Sequence, residues 1–322
     1  MANKPFKTYR EQLDILRSRN LIIENEERAI DILRRVNYYN LINGYKKIFL
    51  EKSNSNLETY KENCTLEEIY SLYKFDRDLK NILLYYLIQF ENSLKSICAY
   101  HFSNKFREDY SYLQVKNYSH EKEDFKYVLN NLAELSKIIN KEKDNSVKPQ
   151  IKHYIDKHHE IPLWVLINYL TFGNVSFFFN AMDNELKESV CKDFGIRLKR
   201  QYGNSYPIEK NILKDIIKIS NLFRNVCAHD DILFSYRLKK PISTKESTSK
   251  FFRVKFKGNS LFDLVMLLQL VLPKDCHEEM ISKIEFTFKL YSKSFKSISL
   301  EDIIEEAGFP INWTEDYKIK LP

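Results

Sequence analysis

Glycine and proline are scarce, 6 and 8 residues in a chain of 322. That scarcity argues against a turn-rich all-β architecture, whose reversals draw on those residues. The five cysteines (Cys64, Cys98, Cys191, Cys227, Cys276) are odd in number and never form a Cys-x-x-Cys pair. Such a pattern speaks against structural zinc and a disulfide framework, and suits a reducing compartment. No apolar run reaches the roughly 18 residues a membrane helix needs, and no signal-peptide pattern opens the chain. A cytoplasmic location without membrane contact is therefore expected. P-loop, GxGxxG, GxSxG and HExxH patterns are missing too, which disfavours nucleotide-dependent, α/β-hydrolase and zinc-protease chemistry. Neither a cofactor nor a metal is expected. The cluster His153, His158 and His159 has no nearby cysteine and reads as a solvated helix face rather than a metal site.

Hydrophobic residues make up 43% of the chain and charged ones 30%, enough for a large core under a well-solvated surface. The net charge of +7 permits a polyanionic partner. Tyrosine and phenylalanine are abundant, 21 and 22 residues. Most belong to the core, and some are suited to stack on unpaired bases.

The periodicity predicts a mainly α fold. Two short helices occupy the first 50 residues, the second capped by Asn25, and Gly44 is read as a turn. A helix-turn-helix reading of residues 9–45 competes here, weakened by the acids that open its second helix. Thr65 and Glu68 form a capping box opening a long helix, with Ile69, Leu72, Leu79, Leu83, Tyr86, Leu87, Phe90, Leu94 and Ile97 as its apolar stripe. Asp76 interrupts that stripe and Glu91 borders it. A buried carboxylate needs a partner: either a salt bridge that fixes helix register, or a supporting role orienting Arg224. Helices are also predicted over 121–139, from Pro162 to Gly173, over 208–229 and in the tail from 261 to 310. A polar stretch over 140–150 reads as a solvated linker. Ahead of the last helical region, Phe252, Val254 and Phe256 alternate with Arg253, Lys255 and Lys257, a strand signal. Its cations suit a ribbon against phosphate or an ordinary edge strand. Three regions are expected: an N-terminal helical segment (1–60), a helical core (61–239) and a C-terminal extension containing the strand (240–322).

Arg224-Asn225-Val226-Cys227-Ala228-His229 carries the most chemistry. Arg-x4-His occurs once. A guanidinium neutralises charge on phosphorus while an imidazole moves a proton near neutral pH, which suits phosphodiester cleavage without metal. On an ideal helix Asn225 and His229 share a face, so Asn225 can orient the imidazole or contact the same phosphate. Arg224 lies about 140° from His229, so two copies facing across a two-fold axis assemble an Arg-His site more readily than one. The plainer reading is a helix C-terminus with a favourable histidine and a salt-bridged arginine.

Further landmarks accompany the motif: Lys4-Pro5-Phe6-Lys7-Thr8-Tyr9 with Gln12-Leu13, Tyr38-Tyr39-Asn40-Leu41 with Gly44-Tyr45, Leu72-Tyr73-Lys74-Phe75-Asp76-Arg77, Glu91 to Lys95, and Pro162-Leu163-Trp164 with Phe172-Gly173. Over most of residues 4 to 235 the chain resembles the abortive-infection family typified by AbiD and AbiF, and the Arg224 to His229 motif is the signature of the wider HEPN superfamily. The resemblance implies a HEPN-type helical bundle core, homodimerisation, and metal-independent endoribonuclease activity at the dimer interface. It further implies a toxin-antitoxin arrangement in phage defence, with a small non-coding RNA restraining the protein. Asp230 and Asp231 depart from relatives that carry histidine or a basic residue after the motif, and acids there repel phosphate. After 240 the match weakens.

The leading expectation is a ribonuclease toxin with Arg224, Asn225 and His229 as catalytic residues and Asp76 or Glu91 in support. RNA contacts are expected at Arg197, Lys199 and Arg200 and at Arg253, Lys255 and Lys257. A non-catalytic RNA-binding module of the same fold is the alternative, and a DNA-binding regulator a weaker third.

Overall fold

The computed structural model describes residues 5–52, 58–140, 149–158, 160–254 and 256–319. Lys255 and His159 lie outside them. Fourteen α-helices lie among the described residues: α1 (Tyr9–Arg17), α2 (Glu26–Arg35), α3 (Leu66–Lys105), α4 (Phe125–Asn140), α5 (Pro149–Lys157), α6 (Leu163–Leu166), α7 (Phe172–Ala181), α8 (Asn184–Tyr202), α9 (Lys210–Ala228), α10 (Lys245–Ser249), α11 (Leu261–Val271), α12 (Lys274–Tyr291), α13 (Leu300–Glu306) and α14 (Trp313–Asp316).

The spine is α3, 40 residues without glycine or proline, so nothing in the sequence breaks its hydrogen-bond ladder. At 1.5 Å per residue it runs about 60 Å. Its predicted capping box is present: Thr65 accepts from the Glu68 N–H while the Glu68 carboxylate accepts from the Thr65 N–H. The apolar stripe is buried as expected except at Ile97, which is half-buried, and full burial continues through Cys98 and Phe102. Against α3 pack α12, α9, α8, α7 and the short α6. One contiguous core runs from Leu13 to Ile319 and draws on all three regions expected from the sequence. Phe288 and Tyr291 of α12, for instance, meet Phe75 of α3 at ring-centroid distances of 5.4 and 5.7 Å.

The expected C-terminal strand does not form, and no strand occurs among the described residues. Phe252 makes only an isolated bridge to Ile319. The reason lies downstream, where Asp263 accepts from the backbone N–H groups of Lys257, Asn259 and Ser260 at 2.8 to 3.0 Å. Those donors are taken by a side chain, and Gly258 turns the chain at φ 76. Phe251, Phe252 and Phe256 are all buried, so the apparent alternation is an irregular segment pinned by three aromatic rings.

Smaller departures have local causes. Gly44 makes no left-handed turn; it comes directly after a π-helical turn, Tyr39–Asn43, with φ −70. The helix expected from Pro162 to Gly173 is divided, because Leu170 is extended and Thr171 starts α7 afresh by accepting from the Asn174 N–H. Helix α8 carries Arg197, Lys199 and Arg200 in its last two turns, where the sequence signals only a basic patch. Helix α5 begins at Pro149, within the stretch that reads as a linker.

His277 of α12 is fully buried, its Nε2 2.9 Å from the Val265 carbonyl oxygen of α11, with no partner at Nδ1. Burial lowers its pKa to about 4, opposed by the bond to Val265. Between pH 6.5 and 4 the unfolded chain therefore takes up a proton that the folded state refuses, and stability is lost as the pH is lowered through that window. Relative to His277→Gln, the wild type should lose roughly 2–3 kcal/mol more between about pH 7.5 and 4.5. Urea denaturation of both proteins at the two pH values measures this, and equal losses would refute it.

Candidate active site

Helix α9 buries Ile212, Ile216, Ile219 and Phe223 against its neighbours, as its 3-4 spacing dictates. It ends at Ala228. His229 is the residue that leaves the helix, extended at φ −112 and ψ 176, with its N–H on the Asn225 carbonyl at 3.1 Å. His229 is thus the C-cap, bonded one turn back to Asn225 through its N–H while its own backbone has left the helical conformation. Asn225 and His229 are exposed, and Arg224 is half-buried.

The position of His229 is decided by the chain just beyond it. Asp230 and Asp231 are exposed, and the backbone then dives inward at Leu233 and Phe234. The N–H groups of those two residues donate to the carboxylate of Asp76, Phe234 at 2.7 Å and Leu233 at 3.1 Å. Asp76 has no exposed surface, and it also accepts from the Tyr45 hydroxyl at 2.9 Å and pairs with Lys80 at 3.3 Å. Burial raises its carboxyl pKa, opposed by the Lys80 charge and by the bonds from Phe234, Tyr45 and Leu233. Tyr45 stacks on Phe234 at 6.1 Å and meets Tyr73 edge-on at 5.6 Å. Gly44 packs beside Ile232, and a Cβ there would meet the Ile232 Cδ1 at 3.5 Å, an ordinary van der Waals contact.

His229 thus stands at the edge of a cleft of about 540 Å³. One wall is Arg35, Asn37 and Asn40; the second is Tyr73, Arg77, Lys80 and Asn81 of α3; the third is the chain from Cys227 to Asp230. Arg77 is exposed, donates from Nη1 to the Tyr73 hydroxyl at 2.7 Å and lies 5.6 Å from that ring's centroid. The hydrogen bond to Tyr73 and its electrostatic influence, then the charge of Asp230, raise its pKa, so it stays charged. Cys227 is no nucleophile here, since burial, reinforced by Asp76, pushes its thiol up to about 12. Among the described residues no group of three His, Cys, Asp or Glu side chains is placed to hold a metal.

Several sequence expectations are corrected by these contacts. Arg224 does not line the cleft, forms no ion pair among the described residues, and leaves its buried Nε without a partner. Neither Asp76 nor Glu91 orients it. Asp76 has nearer donors in Leu233 and Phe234, and Glu91 pairs with Lys95 one turn on, at 2.7 Å, both buried. Arg197 leaves the basic patch: its guanidinium is half-buried over Phe194 and donates to the Val271 carbonyl at the end of α11. Lys199, Arg200, Arg253 and Lys257 are exposed. The residues that sequence reasoning missed are Arg77, Lys80, Asn81, Asn37 and Asn40. Their legible signs were the i,i+4 series Tyr73, Arg77, Asn81 on a single face of the long helix and the presence of Asn40 and Arg77 within the landmark segments.

A family model described as Abi-like protein matches residues 31–235. The chain belongs to the Abi-like protein family. No curated protein and no solved structure matches it. The family segment contains all three walls of this Abi-like cleft and ends just past the two N–H groups held by Asp76. Membership in this family links the protein to abortive infection. Among the described residues no helix is long and apolar enough to cross a membrane.

Replacing Asp76 by alanine would strand two backbone donors, a phenol and a nearly buried ammonium. The expected loss is about 3–5 kcal/mol of stability, the cost of breaking a buried charge pair. Amide exchange at Leu233 and Phe234 should accelerate with it. A shift under about 1 kcal/mol in urea denaturation would show that Asp76 does not hold this segment.

Proposed function

We propose that this Abi-like protein is a metal-independent endoribonuclease toxin of phage defence, with a HEPN-type site and a small non-coding RNA that restrains it. The observation that carries the reading is the position of His229: exposed, free of any intramolecular side-chain partner among the described residues, and at the edge of a cleft lined by cations and amides. The ribose 2′-oxygen attacks the adjacent phosphorus, the bond to the 5′-oxygen breaks, and a 2′,3′-cyclic phosphate and a 5′-hydroxyl result. His229 takes the 2′ proton or supplies one to the departing oxygen. Arg224 lies off its own chain's cleft, which suits a homodimer in which Arg224 and Asn225 serve the cleft of the other copy. Lys199, Arg200, Arg253 and Lys257 remain as exposed cations for the restraining RNA, whose affinity should then fall as salt rises. A non-catalytic RNA-binding role is the second reading. It is favoured by Asp230 in the cleft and Asp231 exposed beside it, both acidic where phosphate would approach.

Cleavage of RNA in EDTA separates the two. Wild type should yield cyclic-phosphate ends, and His229→Ala and Arg224→Ala should each lose on the order of 10²–10⁴ in rate with the fold intact by circular dichroism. Mixing the two inactive variants adds a second check. If Arg and His come from different chains, heterodimers restore roughly a quarter of wild-type activity, from half the dimers and half their sites. No restoration would place both residues of each site in one chain. No metal-independent cleavage by wild type would leave the binding role.

A further inference from the structure

We propose that Arg77 is the residue that grips the substrate phosphodiester beside His229 of the same chain, an inference that rests on the ribonuclease reading above. Three cations line the cleft, and two already have a carboxylate partner. Arg35 is bound to Asp31 at 2.7 Å. Lys80 is nearly buried and bound to Asp76 at 3.3 Å. Arg77 alone of the three is exposed without a carboxylate within 4.0 Å among the described residues. The opposing acid in the lining is Asp230, which acts on Arg77 through its charge and not by an ion pair.

The bond Arg77 does make prepares it for an anion. Nη1 donates to a neutral phenol, which holds the guanidinium still without cancelling its charge. Tyr73 is itself fixed, edge-on to Tyr45 at 5.6 Å and stacked on Tyr70 at 6.0 Å. Tyr45 in turn is anchored to Asp76. A guanidinium has five N–H donors in a planar fork, so one bond to Tyr73 leaves others for two phosphate oxygens. Ordering that side chain beforehand removes much of the entropic cost of binding. Asn37 helps from the opposite wall. Its side-chain oxygen is occupied by the Tyr39 N–H at 2.7 Å, which leaves its NH₂ to donate. Phosphate bound there lies in the same cleft as the imidazole that must move its proton.

Inorganic phosphate titrated into the full-length protein, read on the His229 imidazole NMR signals, tests the site without requiring turnover. Arg77→Gln should need at least about tenfold more phosphate to shift those signals. Tyr73→Phe, which keeps the charge but frees the guanidinium, should need a few-fold more. Arg107→Gln, just past the far end of α3, should match wild type. RNA cleavage in EDTA then reads catalysis, where Arg77→Gln should lose roughly a hundredfold or more in kcat/KM. Arg77→Lys should regain phosphate binding more fully than kcat, because an ammonium lacks the planar fork. Unchanged phosphate response and cleavage in Arg77→Gln would overturn the assignment while leaving the ribonuclease reading intact. An Arg77-dependent phosphate response in a wild type that cleaves no RNA would sink that reading and keep the anion site.

Discussion

Asp76 is the constraint on which the site depends. A carboxylate with no exposed surface sits within the longest helix, surrounded by two backbone N–H groups, a phenol and an ammonium. Taking such a charge from water costs several kcal/mol, and only a full set of donors offsets that. Those donors come from three separate parts of the chain: Tyr45 before α3, Lys80 within it, and Leu233 and Phe234 after α9. One buried group therefore ties all three walls of the cleft to each other. His229 owes its place to this tie, with the end of α9 on one side and the anchored pair four and five residues later.

The same device recurs across the molecule. Glu68 closes the capping box of α3 with one oxygen and with the other accepts from the N–H groups of Lys296 and Ser297 and from the Ser297 hydroxyl. Asp215 of α9 accepts from the Ser243 hydroxyl and from both the N–H and hydroxyl of Thr244. Asp263 gathers the N–H groups of Lys257, Asn259 and Ser260. A chain with 6 glycines has few conformational shortcuts through its loops. It binds loop backbone to acidic side chains on rigid helices instead, and each such bond gives a loop donor an acceptor that the loop itself does not supply.

This arrangement bears on function through charge. The acids that build the cleft are consumed by it, Asp76 by Lys80 and backbone, Asp31 by Arg35. At the surface of the cleft there remain a guanidinium without a carboxylate, several amides and an imidazole, with Asp230 as the opposing charge. That balance is what the proposed phosphodiester substrate requires.

Residue order alone determined a good deal. The absence of helix breakers and the 3-4 spacing of apolar residues yield α3 and α9 with their buried stripes, and the Thr65 and Asn25 caps arise from local hydrogen bonding. The Abi-like relationship was legible for the same reason, since its landmarks are short and contiguous. The turn at Lys257 to Ser260 is local too, since Asp263 takes backbone donors only three to six residues before it, a capping pattern that apolar alternation does not report. Two things were decided only by tertiary structure. Arg197 turns inward because the carbonyl end of α11 lies beside it. Arg77, Asn37 and His229 share a cleft because Asp76 binds backbone 157 and 158 residues away along the chain. Helical and strand periods report a residue's neighbours within a few positions. A carboxylate's choice among distant donors depends on which of them the fold has already removed from water.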